Sequence, residues 1–312
     1  MVFKKMLRAL GVGGPTVDTV LTDSRVYPGG LLTGEVRMTG GEHDCDIDYI
    51  ALSLVTRVER GDGGAQVVEF DRAVVSGRFV LPAGQAKAVP FQIPVPWEAP
   101  VTELFGHHMH GMGLGLRTEL AVAKAVDKGD LDQVTIVPLP SQAAVLDAFA
   151  RLGFRFKSAD LEAGRIHGVQ QRLPFFQEIE FYPPRELAGG ITQVELTFVA
   201  EPGGMAVVLE ADKRAGLFQA GGDVYGRFHT SHEEAARTDW AAQISQWLSQ
   251  VASRRPAQGF HGGGHHGGHG GHGGHGGGGM GLVGGIAAGV VGGMVMGEVF
   301  DEIGDAFFGD ED

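Results

Sequence analysis

Asparagine does not occur in the 312 residues, cysteine occurs once, and no lysine or arginine follows Arg255. The lone Cys45 excludes an intrachain disulfide and any paired-thiol zinc motif. Arginine outnumbers lysine 18 to 7, which together with the missing asparagine reads as the coding bias of a high-GC genome. The start lacks an unbroken apolar run: Lys4, Lys5 and Arg8 interrupt residues 1–10. No signal-peptide core is expected there, and with the thiol usage this points to the cytoplasm. The missing cations leave seven acids between Glu298 and Asp312 unopposed, so the net charge of −13 divides into −6 for residues 1–258 and −7 for the remainder. A chain this acidic is a poor ligand for phosphate backbones, and nucleic acid is not an expected partner.

Catalytic signatures are also missing. There is no Gly-x-Ser-x-Gly, Walker A or His-Glu-x-x-His. The glycines at 111, 113 and 115 lack the third position of a dinucleotide fingerprint and precede a strand pattern. Cys45 sits between Asp44 and Asp46, whose charges raise a thiol's pKa rather than activating it. Asp44, Asp46 and Asp48 alternate at a strand onset. A solvated sheet edge explains them better than calcium, because no EF-hand spacing accompanies them. No catalytic residue, no resident cofactor and no enzymatic activity are expected.

Glycine is abundant but uneven: 29 of the 52 lie in residues 1–258 and 23 in the last 54. The chain therefore reads as a folded body and a separate tail. In the body, strand patterns rich in Val, Ile, Thr and Phe cover 16–23, 31–39, 47–59, 66–81, 87–95, 116–126 and 132–137. Pro90, Pro94 and Pro96 place the 87–95 segment at a sheet edge. Residues 138–141 (Pro-Leu-Pro-Ser) read as a linker, and 142–152 as a short amphipathic helix with Val145, Leu146, Phe149 and Leu152 on one stripe. A second strand series follows at 154–162, 165–171, 174–182, 191–200, 204–213 and 223–230. A helix is expected over 233–252, with Ser231 as N-cap and a stripe of Ala236, Trp240, Ile244, Trp247, Leu248 and Val251. Docking of that stripe on the body is favoured over a partner-facing role. The expected fold class is all-β: two tandem immunoglobulin-like β-sandwiches, 1–137 and 142–255, with a few short helices and a Gly/His-rich low-complexity tail.

Val17-Asp-Thr-Val-Leu21, Tyr27-Pro-Gly-Gly-Leu-Leu-Thr-Gly-Glu-Val36, Ile50-Ala-Leu-Ser-Leu-Val-Thr56 and Pro90-Phe-Gln-Ile-Pro94 resemble an arrestin-type N-terminal sandwich. With the Phe-Lys-Lys opening, Leu146–Phe154, Leu173-Pro-Phe-Phe-Gln-Glu178, Gly190–Phe198 and Val207-Val-Leu-Glu-Ala-Asp212, the chain is similar to the bacterial sporulation-control family of the stage-zero M type. The resemblance spans 1–230 and the Gly-rich, acidic end. It implies two arrestin-like sandwiches in the cytoplasm and a regulatory, non-enzymatic role in development and cell division. The loop 106–112 (Gly-His-His-Met-His-Gly-Met) and the length of the His-Gly tract depart from that pattern.

Histidine carries the main chemical signal. His261, His265, His266, His269, His272 and His275 lie on a glycine chain in 256–279, where neutral imidazoles suit Ni²⁺, Zn²⁺ or Cu²⁺. A solvated tether and a pH sensor are the other two readings of this tract. His107, His108, Met109 and His110, with Met112 nearby, form a second cluster that suits copper or nickel, or is simply a solvated loop. Residues 280–297 carry no charge and repeat glycine every four positions, a pattern of helix association. Self-association or transient membrane contact is expected ahead of a stable span, and low-complexity chain is the alternative. In the last fifteen residues Phe300, Ile303 and Phe307 share one helical face among acids, as partner-binding segments do. Phe3, Met6, Leu7 and Leu10 oppose Lys4, Lys5 and Arg8, which suits either peripheral lipid contact or packing on the body. The leading functional expectation is a protein-binding adaptor or scaffold; the alternative is a metal-binding or metal-storage protein that uses the His-Gly tract.

Overall fold

The computed structural model describes residues 13–61, 64–123, 125–213 and 224–253. The first half contains β1 (Thr16–Leu21), β2 (Arg25–Val26), β3 (Leu31–Thr39), β4 (Cys45–Glu59), β5 (Ala65–Ser76), β6 (Phe79–Leu81), β7 (Ala86–Pro94), β8 (Glu103–Leu104), β9 (His107–His108), β10 (Leu114–Val122), β11 (Lys128–Gln133) and β12 (Thr135–Ile136). One antiparallel sheet has the order β1-β3-β7. β7 lies at its edge, where Pro90 and Pro94 remove no ladder bond that a further strand would need. The second sheet runs β11-β10-β4, with β5 and β6 along the other side of β4. Leu32, Val36 and Met38 from β3 and Phe91 and Ile93 from β7 meet Ile50, Leu52, Leu54, Leu116 and Leu120 from the second sheet in one core. Each such side chain contributes about 1.5–3 kcal/mol of transfer free energy.

β4 is buried on both faces, although its outer face points away from that core. Ala51, Ser53 and Val55 are at most 2% exposed there. The cover is a lid of long charged side chains. Arg72 donates to Glu119 at 2.8 Å, Tyr49 donates to Glu119, Arg117 pairs with Glu69, and the Arg72 guanidinium lies 5.7 Å from the Tyr49 ring centre. Burial alone would raise the Glu119 pKa, but the hydrogen bonds from Arg72 and Tyr49 hold it below the usual carboxylate range.

The second half contains α1 (Pro140–Arg151), β13 (Arg155–Ala163), β14 (Phe175–Tyr182), β15 (Ile191–Glu201), β16 (Gly204–Lys213), β17 (Val224–Ser231), α2 (His232–Arg237) and α3 (Trp240–Ser253). β13 to β17 form an antiparallel meander, joined to the first half's sheet by one parallel bridge, Glu162 to Glu59. Sequence spacing predicts a second sandwich here. The described residues instead form one five-stranded layer whose inner face is covered by helices: Phe149 of α1 lies 4.7 Å from Phe181, and Trp240 of α3 meets Phe228 edge-on at 6.0 Å. The apolar stripes of the helices bury the face that a second sheet would cover.

Residues 165–171, expected as a strand, form a loop. Gln171 takes over the backbone pairing a ladder would supply. Its amide donates to the carbonyls of Gly164, Leu173 and Phe175 at 2.8–3.0 Å, and its oxygen accepts from the Ile166 N–H at 3.0 Å. The expected 233–252 helix is two helices. Ser231 caps α2 by accepting from the Glu234 N–H at 3.2 Å, and Asp239 starts a new helix by accepting from the Ala242 N–H at 3.1 Å. The two indoles dock on the body: Trp240 is 1% and Trp247 6% exposed, and the Trp247 ring lies over Gly226, where an added Cβ would come within 2.6 Å.

Candidate functional site

The second sequence cluster does not form one ligand set. β8 and β9 make a hairpin turned by Phe105 (φ 51°) and Gly106 (φ 81°), and His107, His108 and His110 are exposed on it. Met109 points the other way into the core, its N–H bonded to the Thr102 carbonyl at 2.9 Å, and Met112 is also buried. The structure therefore separates the thioethers from the imidazoles. The tract His261, His265, His266, His269, His272 and His275, the stripe Phe300, Ile303 and Phe307, the glycine repeat 280–297 and residues 1–10 lie outside the described residues. Cys45 is half-buried, and burial followed by Asp44 and Asp46 pushes its thiol up, so it is not an activated nucleophile.

Among the described residues, buried and half-buried polar side chains gather in two other places. The first is the junction between the halves. The Gln177 side chain, buried, mimics a strand neighbour: its oxygen accepts from the Val101 N–H at 3.0 Å and its amide donates to the Val101 carbonyl at 2.7 Å. The Glu98 carboxylate accepts from the N–H groups of Arg172 and Leu173 at 2.8 Å. Trp97 stacks on His232 at 5.6 Å and fills the space above Gly29, whose φ of 72° and 2.3 Å clearance for a Cβ admit no side chain. His232 accepts from or donates to the Ser141 hydroxyl at 2.8 Å and donates to the Glu201 carbonyl at 2.9 Å. Beside these contacts runs a cleft of about 680 Å³, bounded by Pro94–Glu98 and the 165–173 loop.

The second is the outer face of the meander. Strand register sets Asp160 beside Glu178, Glu180 beside Glu195, and Glu195 beside Glu210. The 165–167 loop and β17 close a cavity of about 440 Å³ over this face, lined by Phe176, Glu178, Glu195, Glu210, Tyr225 and Arg227. Burial, and then Glu195, Asp160, Glu162 and Glu210, push Glu178 up to about 8. Burial, followed by Glu180, Glu59 and Glu162, pushes Asp160 up to about 7. Glu180 behaves oppositely: burial would raise it, but the Ser158 hydroxyl and the Lys157 ammonium (2.9 Å) hold it below the usual range. Like charges this close cannot all ionise, so the face holds protons near neutral pH.

Two trios, Asp160/Glu162/Glu178 and Glu178/Glu195/Glu210, bring carboxylate oxygens within 4.8 Å of one another, which is the donor type a hard divalent cation takes. Among the described residues no histidine joins such a group. Sequence reading missed both places. The carboxylate face has a legible signal, acids two apart in consecutive strands. Gln177 and Glu98 have none, since nothing in their neighbourhoods marks a side chain that bonds across halves.

A family model described as SpoOM protein matches residues 3–215. The chain is 31% identical over 220 residues to the sporulation-control protein spo0M of Bacillus subtilis (strain 168), covering 68% of this chain and 81% of that protein. The crystal structure of Spo0M, sporulation control protein, from Bacillus subtilis superposes with a TM-score of 0.65 at 27% identity, covering 76% of this chain and 99% of that one. Among the described residues no helix is long and apolar enough to cross a membrane. By the family match and this relative, the chain belongs to the Spo0M family of sporulation-control proteins.

Proposed function

We propose that the chain is a cytoplasmic, non-enzymatic regulatory adaptor of sporulation, or of an equivalent developmental or division programme, that works by binding other proteins. The family supplies the biology. The observation that supports binding is the outer edge of β17: among the described residues no strand pairs with it, and the cavity with its half-buried carboxylates opens beside it. An unpaired edge accepts an added strand through main-chain hydrogen bonds, and a neighbouring pocket then selects side chains.

The test is complementation. In a sporulating host that lacks its own family member, the full chain restores spore counts. A chain with Tyr225→Ala and Arg227→Ala, two exposed β17 side chains at the cavity, melts normally and does not. Full restoration by that variant refutes the edge as the binding surface.

A further inference from the structure

Several exposed cations of the body have ion-pair partners. Arg25 pairs with Glu103, Arg37 with Glu35, Arg78 with Asp48 and Arg237 with Glu233. One corner gathers three exposed arginines around an aromatic ring. Arg151 is the last residue of α1, and the turn after it packs on the loop that follows β14: a Cβ on Gly153 would lie 3.6 Å from Pro184. Arg155 pairs in the ladder with Tyr182, its guanidinium 5.8 Å from that ring's centre, and Arg185 follows Pro184 in a tight turn closed by the Leu187 N–H to the Pro184 carbonyl at 3.0 Å. All three arginines are exposed, and none has an ion-pair partner among the described residues. Tyr182 is 45% exposed between them, with half-buried Leu152 and Leu187 at the margins. The acids nearby, Asp147 on α1 and Glu186, form no ion pair with them.

We propose that this cationic, aromatic corner is the docking surface for the chain's own acidic end, Glu298–Asp312. Three arguments select that occupant. Seven acids without a cation complement three unmatched arginines. Phe300, Ile303 and Phe307 give that segment an apolar side for Tyr182 and the two leucines. The reach is sufficient: 44 residues separate Ser253 from Glu298, a chain with an upper limit of about 150 Å when extended, against a radius of gyration of about 18 Å for a body of this length.

The test uses the full-length chain with Cys45→Ser and spin labels at Ala150→Cys and Ala306→Cys. A short label-to-label distance population is expected at roughly 0.05 M salt and is lost at roughly 0.5 M. Each exposed ion pair contributes about a two- to fivefold factor, so Arg155→Glu with Arg185→Glu lowers that population about tenfold. Adding Asp301→Lys, Glu302→Lys and Asp305→Lys to the reversed background restores it, which a merely structural effect of the arginine changes would not do. A distance distribution unmoved by the reversals, or not rescued by the swap, overturns the proposal. Short distances found only in mixtures of singly labelled chains overturn it in favour of contact between copies. Binding to phosphatidylserine vesicles that the reversals abolish, with label distances unchanged, overturns it in favour of an anionic lipid surface.

Discussion

Replacing Glu178 by Gln should stabilise the protein above neutral pH and leave it nearly unchanged in mild acid. Gln keeps the shape of the side chain and removes a charge that the native face disfavours. Glu178 is held up to about 8 from an ordinary 4.5, so the folded state binds its proton more tightly than the unfolded state does. For a raised group the stabilising contribution is complete below the unfolded pKa and is lost as pH rises through the folded one. The window is therefore roughly pH 4.5 to 8. The full displacement would be worth about 5 kcal/mol at 1.36 kcal/mol per pH unit. Solvent reaches part of the side chain, and Asp160 and Glu195 share the titration, so about 1–2 kcal/mol is expected at pH 9. Urea unfolding of wild type and variant between pH 5 and 9 gives the answer, provided the slope against denaturant is unchanged. Parallel stability curves, or a variant less stable at pH 9, would refute the assignment of strain to this face.

Gln177→Ala should cost about 2–3 kcal/mol in chemical denaturation, because it strands the buried N–H and carbonyl of Val101; a loss below about 0.5 kcal/mol would mean that water replaces the side chain. Deleting residues 259–312 should leave one cooperative melt, and aggregation or a non-cooperative transition would break the division into body and tail. Titration of the intact chain with Ni²⁺ in a calorimeter should show binding that disappears when His261, His265, His266, His269, His272 and His275 become Ser; unchanged heat would remove the tract as the metal ligand.

What the sequence made legible follows from which interactions are local. Enrichment in Val, Ile, Thr and Phe between Gly, Pro and Asp breaks found β3, β4 and β7 almost to the residue, since strand composition is a local property of the chain. Proline placed β7 at an edge, and the stripe through Trp240, Ile244 and Val251 identified α3. The same stripe concealed a break, because Asp239 acts as a cap only when the chain ahead of it has already left the helix. The 165–171 segment had a strand's composition, but its partner is the amide of Gln171, a tertiary choice with no period. The His-Met-His run read as one cluster because sequence shows neighbours along the chain, whereas burial of Met109 is decided by residues elsewhere in the core.

The break at Thr238–Asp239 has a mechanical consequence. Whatever residues 254–312 hold on to, their pull enters the body through α3, at Ser253. Force at that end loads the helix's contacts in series, Val251 first, then Leu248 and Trp247, then Ile244 and Trp240. A single continuous helix would pass the load on to β17. Here the caps at Asp239 and Ser231 end one hydrogen-bonded column and begin another, so α3 can peel while α2 and the meander stay folded. Single-molecule pulling from the C-terminus should therefore show a small early extension of about fourteen residues before the body yields. On this prediction α3 is a fuse between residues 254–312 and the sheet.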